Sequence, residues 1–143
     1  MPEAQSLANH TKWDPPFHFF YTPVLAANAI YSIVVTVRNF SPGALWLMVV
    51  SIAIAVMAFN GRRNALRVQD RLIRLEERLR LSSLLQEPLR SRIPELTESQ
   101  LISLRFASDS ELPALVSTIL SKKLAPKEIK QSITQWRPDY FRV

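Results

Sequence analysis

Residues 17–37 read FHFFYTPVLAANAIYSIVVTV, and residues 44–59 read ALWLMVVSIAIAVMAF. The first run is 21 residues without a Lys, Arg, Asp or Glu. At ~1.5 Å rise per residue it reaches roughly the 30 Å of a bilayer's hydrocarbon core. The second run is 16 residues. Pro42, Gly43 and Asn60 extend it to a span of about 44–60, and Arg62 and Arg63 can snorkel back to the headgroups. Only Arg38, Asn39, Phe40, Ser41, Pro42 and Gly43 separate the two runs. The rest of the chain offers too little amphipathic sequence to bury both in a soluble core. The expected fold class is therefore an all-α membrane protein with three parts. These are a transmembrane helical hairpin over residues 17–60, a charged helix extending from the second span over 61–85, and a small C-terminal helical bundle over 86–143. Residues 1–16 form an N-terminal flank.

Composition agrees once it is divided. Of 143 residues, 48% are hydrophobic and 21% charged, with 18 Lys+Arg against 12 Asp+Glu. Residues 1–60 carry only Glu3, Lys12, Asp14 and Arg38, so the remaining 16 basic and 10 acidic side chains all lie beyond Asn60. The chain is too short for two sizeable cores. With no Cys there is no disulfide framework and no thiolate chemistry. Two Gly exclude Gly-rich phosphate loops. Acidic and aromatic residues precede the first run, which argues for a retained span over a cleaved signal peptide. The loop between the runs has one Arg, Arg38, whereas Arg62, Arg63, Arg67, Arg71 and Arg74 follow the second. That bias places both termini in the cytoplasm.

Within the first run, Asn28, Ser32 and Thr36 recur every four residues and share one helix face; Ser51 and Ala55 do the same in the second. Small and hydroxyl residues let helix backbones approach and hydrogen-bond. Such stripes either zip the hairpin or, through Asn28, meet another subunit. Trp13, Phe17, Phe19, Phe20 and Tyr21 form an interfacial aromatic belt. His18, at its edge, is a weak candidate for touching a haem or pigment of a neighbouring subunit; no intrinsic cofactor is expected.

From residue 61 to 81 the chain is helix-forming. Ala65, Val68, Leu72, Leu75 and Leu79 are spaced 3-4-3-4, a seam of a little over two heptads. The seam suits either packing on the chain's own C-terminal bundle, through Leu72 and Leu79, or a dimer. Asp70–Arg74 and Glu76–Arg80 are acid-first i,i+4 pairs. Arg62, Arg63, Arg67 and Arg71 offer a basic face to anionic lipid headgroups. The basic residues are mixed with acids and match no nucleic-acid-binding pattern, so no nucleic acid is expected as a partner.

Farther on, Thr97-Glu98-Ser99-Gln100 fits a capping box, and Ser108-Asp109-Ser110-Glu111 fits a second. Pro126 and Glu128 suit the first turn of a third helix carrying Ile129, Ile133 and Trp136. No His follows His18, and the acids Glu95, Glu98, Asp109, Glu111 and Glu128 sit where helix capping explains them. The tail, with Trp136, Arg137, Tyr140 and Phe141, either clasps the bundle or docks on a partner.

These stretches carry a resemblance. Asn9-His10-Thr11 with Trp13-Asp14-Pro15 and Phe17-His18-Phe19-Phe20, Val68-Gln69-Asp70-Arg71 with residues 74–80 (RLEERLR), the run ELTESQL into LRFASD (95–101, 104–109), and WRPDYFRV at 136–143 together resemble a family of small two-span bacterial membrane proteins. That family carries only a domain-of-unknown-function label. The resemblance implies a bacterial inner-membrane protein and transfers no catalytic residues. The function expected is a non-catalytic accessory or scaffold subunit of a larger inner-membrane complex, including an electron-transfer or photosynthetic assembly. The alternative is a self-associating membrane adaptor, a homodimer recruiting a soluble partner. An enzyme is not expected.

Overall fold

The computed structural model describes residues 6–7 and 13–139. Among these residues the structure is helical, with a single isolated antiparallel bridge between Ala107 and Trp136. A π-helical turn over Pro16–Tyr21 leads into α1 (Thr22–Arg38). Pro23 has no N–H to donate to the carbonyl four residues back, so the ladder there is already broken. The Thr22 amide and hydroxyl instead both donate to the Phe17 carbonyl, five residues back. Next comes α2 (Pro42–Leu84), then a 3-10 turn over Arg90–Glu95, α3 (Glu98–Leu104), α4 (Leu112–Lys122) and α5 (Pro126–Ser132). The helix α2 is 43 residues long and passes through Asn60-Gly61 without interruption. Among the described residues, two helices, Pro16–Arg38 and α2, are long and apolar enough to cross a membrane.

The described chain divides into two compact units, Trp13–Arg67 and residues 68–139 together with 6–7, and α2 contributes to both. In the first unit the polar stripes meet. Asn28 Nδ2 donates to Ser51 Oγ at 2.9 Å, and Thr36 Oγ1 donates to the carbonyls of Ser32 (2.8 Å) and Ala44 (3.0 Å). Ser32, Thr36 and Ser51 are buried while the apolar side chains around them face outward. Arg62 closes the ring near Phe17: it donates to Asp14 at 2.7 Å and lies 4.7 Å from the centre of the Phe17 ring, which itself packs edge-on against Phe59.

In the second unit α3, α4 and α5 enclose a core of Leu101, Leu104, Phe106, Leu112, Val116, Ile119 and Ile129, all essentially inaccessible. Thr97 caps α3 as the sequence predicts: its Oγ1 accepts from the Gln100 amide, and the Gln100 side chain accepts from the Thr97 amide. Glu128 accepts from the Ala125 amide at the start of α5.

Four local expectations are corrected. First, the bundle does not use Leu72 and Leu79; Ile73, Leu81 and Leu85 are buried, whereas Val68, Leu72, Leu75 and Leu79 are 54–65% exposed. Second, Ser108 does not cap α4. Its hydroxyl pairs with that of Ser110, and the residue before α4, Glu111, instead accepts from the Thr134 amide and hydroxyl and the Gln135 amide, tying down the segment after α5. Third, α5 stops at Ser132, so Trp136 sits on extended chain bridged to Ala107. Fourth, the i,i+4 pairs on α2 give way to other partners: Arg74 pairs across the fold with Glu98, and Arg80 pairs with Glu77 one turn back on α2 and, across the fold, with Asp109.

Candidate functional site

The second unit holds a cleft of about 590 Å³ between α2, the end of α3 and the chain after α5. Its centre is Arg80. The guanidinium donates from Nε to Asp109 at 2.7 Å, from Nη1 to Glu77 at 3.2 Å, and from Nη2 to the Ala107 carbonyl at 2.7 Å and to Asp109. The planar fork of five donors is what lets one side chain bind two carboxylates and a carbonyl at once. Its partners differ in environment. Asp109 is largely exposed, while the Glu77 side chain is 6% exposed. Burial pushes the Glu77 carboxyl above the usual carboxylate range, against the opposing pull of Arg80.

On the far wall, the Arg105 guanidinium lies 4.5 Å from the Phe106 ring centre, and its Nε is 3.4 Å from Asp139 Oδ2. Phe106 packs at 5.0 Å on Trp136, and the Arg137 amide donates to the Phe106 carbonyl at 2.7 Å. The tail as far as Asp139 is thus held against its own bundle. Trp136, expected as a partner anchor, is half-buried there, and Arg137, which like Glu76 lines the cleft, stays exposed. Tyr140 and Phe141 lie outside the described residues.

The sequence reading missed this site. It explained Asp109 by helix capping and Glu76–Arg80 by helix pairing. The available signal lay elsewhere: three of the stretches that carried the family resemblance, residues 74–80, 104–109 and 136–139, all line this one cleft.

The other predicted residues are spread out. Asn28, Ser32, Thr36 and Ser51 meet between α1 and α2, with Ala55 partly buried beside a second, apolar groove of about 650 Å³. Asn28 directs its amide within the chain. His18 Nδ1 lies 2.8 Å from the Asp14 carbonyl, and its ring packs edge-on against Trp13 and Phe17. A carbonyl only accepts, so Nδ1 carries a proton. Of the basic face, Arg62 is bound to Asp14, Arg63 donates to Asn60 at 2.6 Å, and Arg67 and Arg71 are exposed. Among the described residues no group of three His, Asp or Glu is placed to hold a metal ion.

No curated protein and no solved structure matches this sequence. A family match covers residues 1–143, every stretch that forms the cleft and the two apolar helices included, and on that full-length match the chain belongs to the family of unknown function DUF6526.

Proposed function

We propose that the chain is a non-catalytic accessory or scaffold subunit of a larger complex in the bacterial inner membrane. In this reading α1 and the apolar half of α2 form a transmembrane hairpin with both termini cytoplasmic. The second unit then receives a polar segment of a neighbouring subunit at the arginine–carboxylate cleft. Only 11% and 6% of the most apolar windows of the two long helices is buried, whereas the core helix of a soluble protein is mostly buried; this supports the membrane assignment. Exposed Arg67 and Arg71 suit anionic headgroups at the point where α2 leaves the bilayer.

The observation that carries the proposal is how the cleft's charges are used. Arg80 is committed to Glu77, Asp109 and a carbonyl, and Arg105 to Asp139 and the Phe106 face. Groups held this way form a fixed polar surface suited to recognition, with Glu76 and Arg137 exposed at its edge. Rigid, pre-paired charges favour specific docking because little side-chain freedom remains to be lost on binding.

Purification from native membranes in mild detergent, followed by native mass spectrometry, tests this reading. The expected result is a stoichiometric membrane-protein partner with the wild-type chain that is lost with Arg137→Glu. A chain that emerges without any co-purifying protein, at several detergent strengths, would overturn it.

A further inference from the structure

The membrane-distal half of α2 has two apolar faces, and the second unit covers only one. Ile73, Glu77 and Leu81 are buried against the bundle. At about 100° of turn per residue, they lie roughly 100–180° around the helix from Val68, Leu72, Leu75 and Leu79. Those four remain 65%, 54%, 55% and 62% exposed. Their 3-4-3-4 spacing is the a/d pattern of a two-stranded coiled coil, with Ala65, Leu72 and Leu79 at a and Val68 and Leu75 at d.

The flanking charges say what the occupant is. The g positions are Arg71 and Arg78, and the e positions are Gln69, Glu76 and Ser83. In a parallel pair each g residue faces the e residue five positions on in the other helix. Arg71 therefore meets Glu76 of a second copy, twice over by the two-fold axis, and Arg78 meets Ser83 without conflict. In an antiparallel pair g faces g, so Arg71 and Arg78 of the two copies would be brought together. Arg71 and Glu76 are both exposed in the isolated chain.

We infer that two copies of this chain associate through a parallel coiled coil along Val68, Leu72, Leu75 and Leu79, locked by reciprocal Arg71–Glu76 ion pairs. The inference rests on the reading of the apolar half of α2 as a membrane span, because spans inserted with one topology deliver their helices parallel. A seam of little more than two heptads is marginal between free helices. Confinement to one membrane raises the effective concentration enough for it to pair. The bundle occupies the opposite face and does not compete.

The chain has no native Cys, so single-cysteine variants report proximity cleanly. In membranes containing the full chain, Leu75→Cys should crosslink to a dimer on mild oxidation, and Asp70→Cys, on the exposed outer side of the helix, should not. On the Leu75→Cys background, Arg71→Glu should lower dimer yield severalfold, and the pair Arg71→Glu with Glu76→Arg should restore it. Restoration is specific to the parallel register, since antiparallel pairing would set the reversed residues against their own kind. No dimer at position 75, equal crosslinking at position 70, a disulfide to a different protein, or failure of the double reversal to restore the dimer would each overturn the inference. Co-purification of a membrane partner is scored separately on the wild-type chain and on Leu75→Cys, which leave the cleft residues Glu76 and Arg137 intact, so a failure here is distinguishable from a failure of the accessory-subunit reading.

Discussion

Replacing Arg80 by Gln isolates the energetics of the cleft. The substitution leaves Glu77, whose side chain is 6% exposed, without its hydrogen-bonded cation and with only the weaker field of Arg137, and frees the buried end of the Ala107 carbonyl. Removing one partner of a buried ion pair costs about 3–5 kcal/mol. The bonds to Asp109 add little, roughly 0–1 kcal/mol, because that carboxylate is 66% exposed. Glu77 can escape the ionic penalty by taking up a proton. Protonating an ordinary carboxyl near pH 7 costs about 1.4 kcal/mol per pH unit above its pKa, or roughly 3–4 kcal/mol, which is a ceiling of the same size.

The pH dependence follows from the sign of the Glu77 shift. Its carboxyl is already raised in the folded chain by burial, and loss of Arg80 raises it further. A raised carboxyl means that the folded state holds the proton more tightly than the unfolded state does. Stability is therefore gained as pH falls through the folded value, and more so in the variant. The deficit of Arg80→Gln should be about 4 kcal/mol at pH 7.5 and about 1–2 kcal/mol near pH 5. The assay is urea unfolding of the full chain in detergent. It is followed by Trp136 emission, with Trp13 and Trp46 replaced by Phe. Adding Glu77→Gln to Arg80→Gln should recover most of the loss at pH 7.5, since a neutral amide needs no cation. A deficit under about 1 kcal/mol, or one that does not shrink toward pH 5, would refute the assignment of Arg80 as the counter-ion that makes Glu77 tolerable there.

Three further outcomes are expected. Leu81→Ala, at a side chain with no exposure, should destabilise the second unit by about 2–5 kcal/mol, and Leu79→Ala, 62% exposed in the single chain, by under about 0.5 kcal/mol in the same unfolding assay run at a detergent dilution that keeps the chain monomeric. Thr97→Ala removes one half of the α3 capping box and should cost about 1 kcal/mol, read as faster hydrogen exchange in residues 98–104. Asn28→Leu deletes the bond to Ser51 and should weaken the α1–α2 contact by roughly 0.6–2 kcal/mol, seen as earlier dissociation of a chain cleaved in the 38–43 loop during SDS titration.

What was legible in the sequence is what depends on neighbours along the chain. The two apolar runs, the uninterrupted helix through Asn60-Gly61 and the Thr97–Gln100 box are set by hydropathy, by the absence of Pro, and by a hydroxyl three residues ahead of an amide side chain. The second predicted box failed because the same residue types had better partners far away. Asp109 is 29 residues from Arg80, and Glu111 is 23 from Thr134. A serine or acid before a helix states only that it can accept a hydrogen bond; the fold decides from which donor.

The cleft escaped notice, and one of the seam's two expected roles, packing on the bundle through Leu72 and Leu79, failed, for the same physical reason. Both lie on α2, where apolar and charged residues recur at helical spacing on more than one face. The regular stripe of Ala65, Val68, Leu72, Leu75 and Leu79 draws attention because it is unbroken, yet the bundle packs on the irregular one, where Ile73 and Leu81 flank Glu77. An acid in the middle of an apolar stripe argues against burial until its cation is known. Here the cation, Arg80, sits one turn on along the same helix and gains its other partners, Asp109 and the Ala107 carbonyl, from the end of α3. Burying Glu77 is tolerable only because the chain after α3 returns to hold Arg80. The charged pair thus ties the position of the bundle on α2 to one register, and the unbroken stripe is left free to face outward.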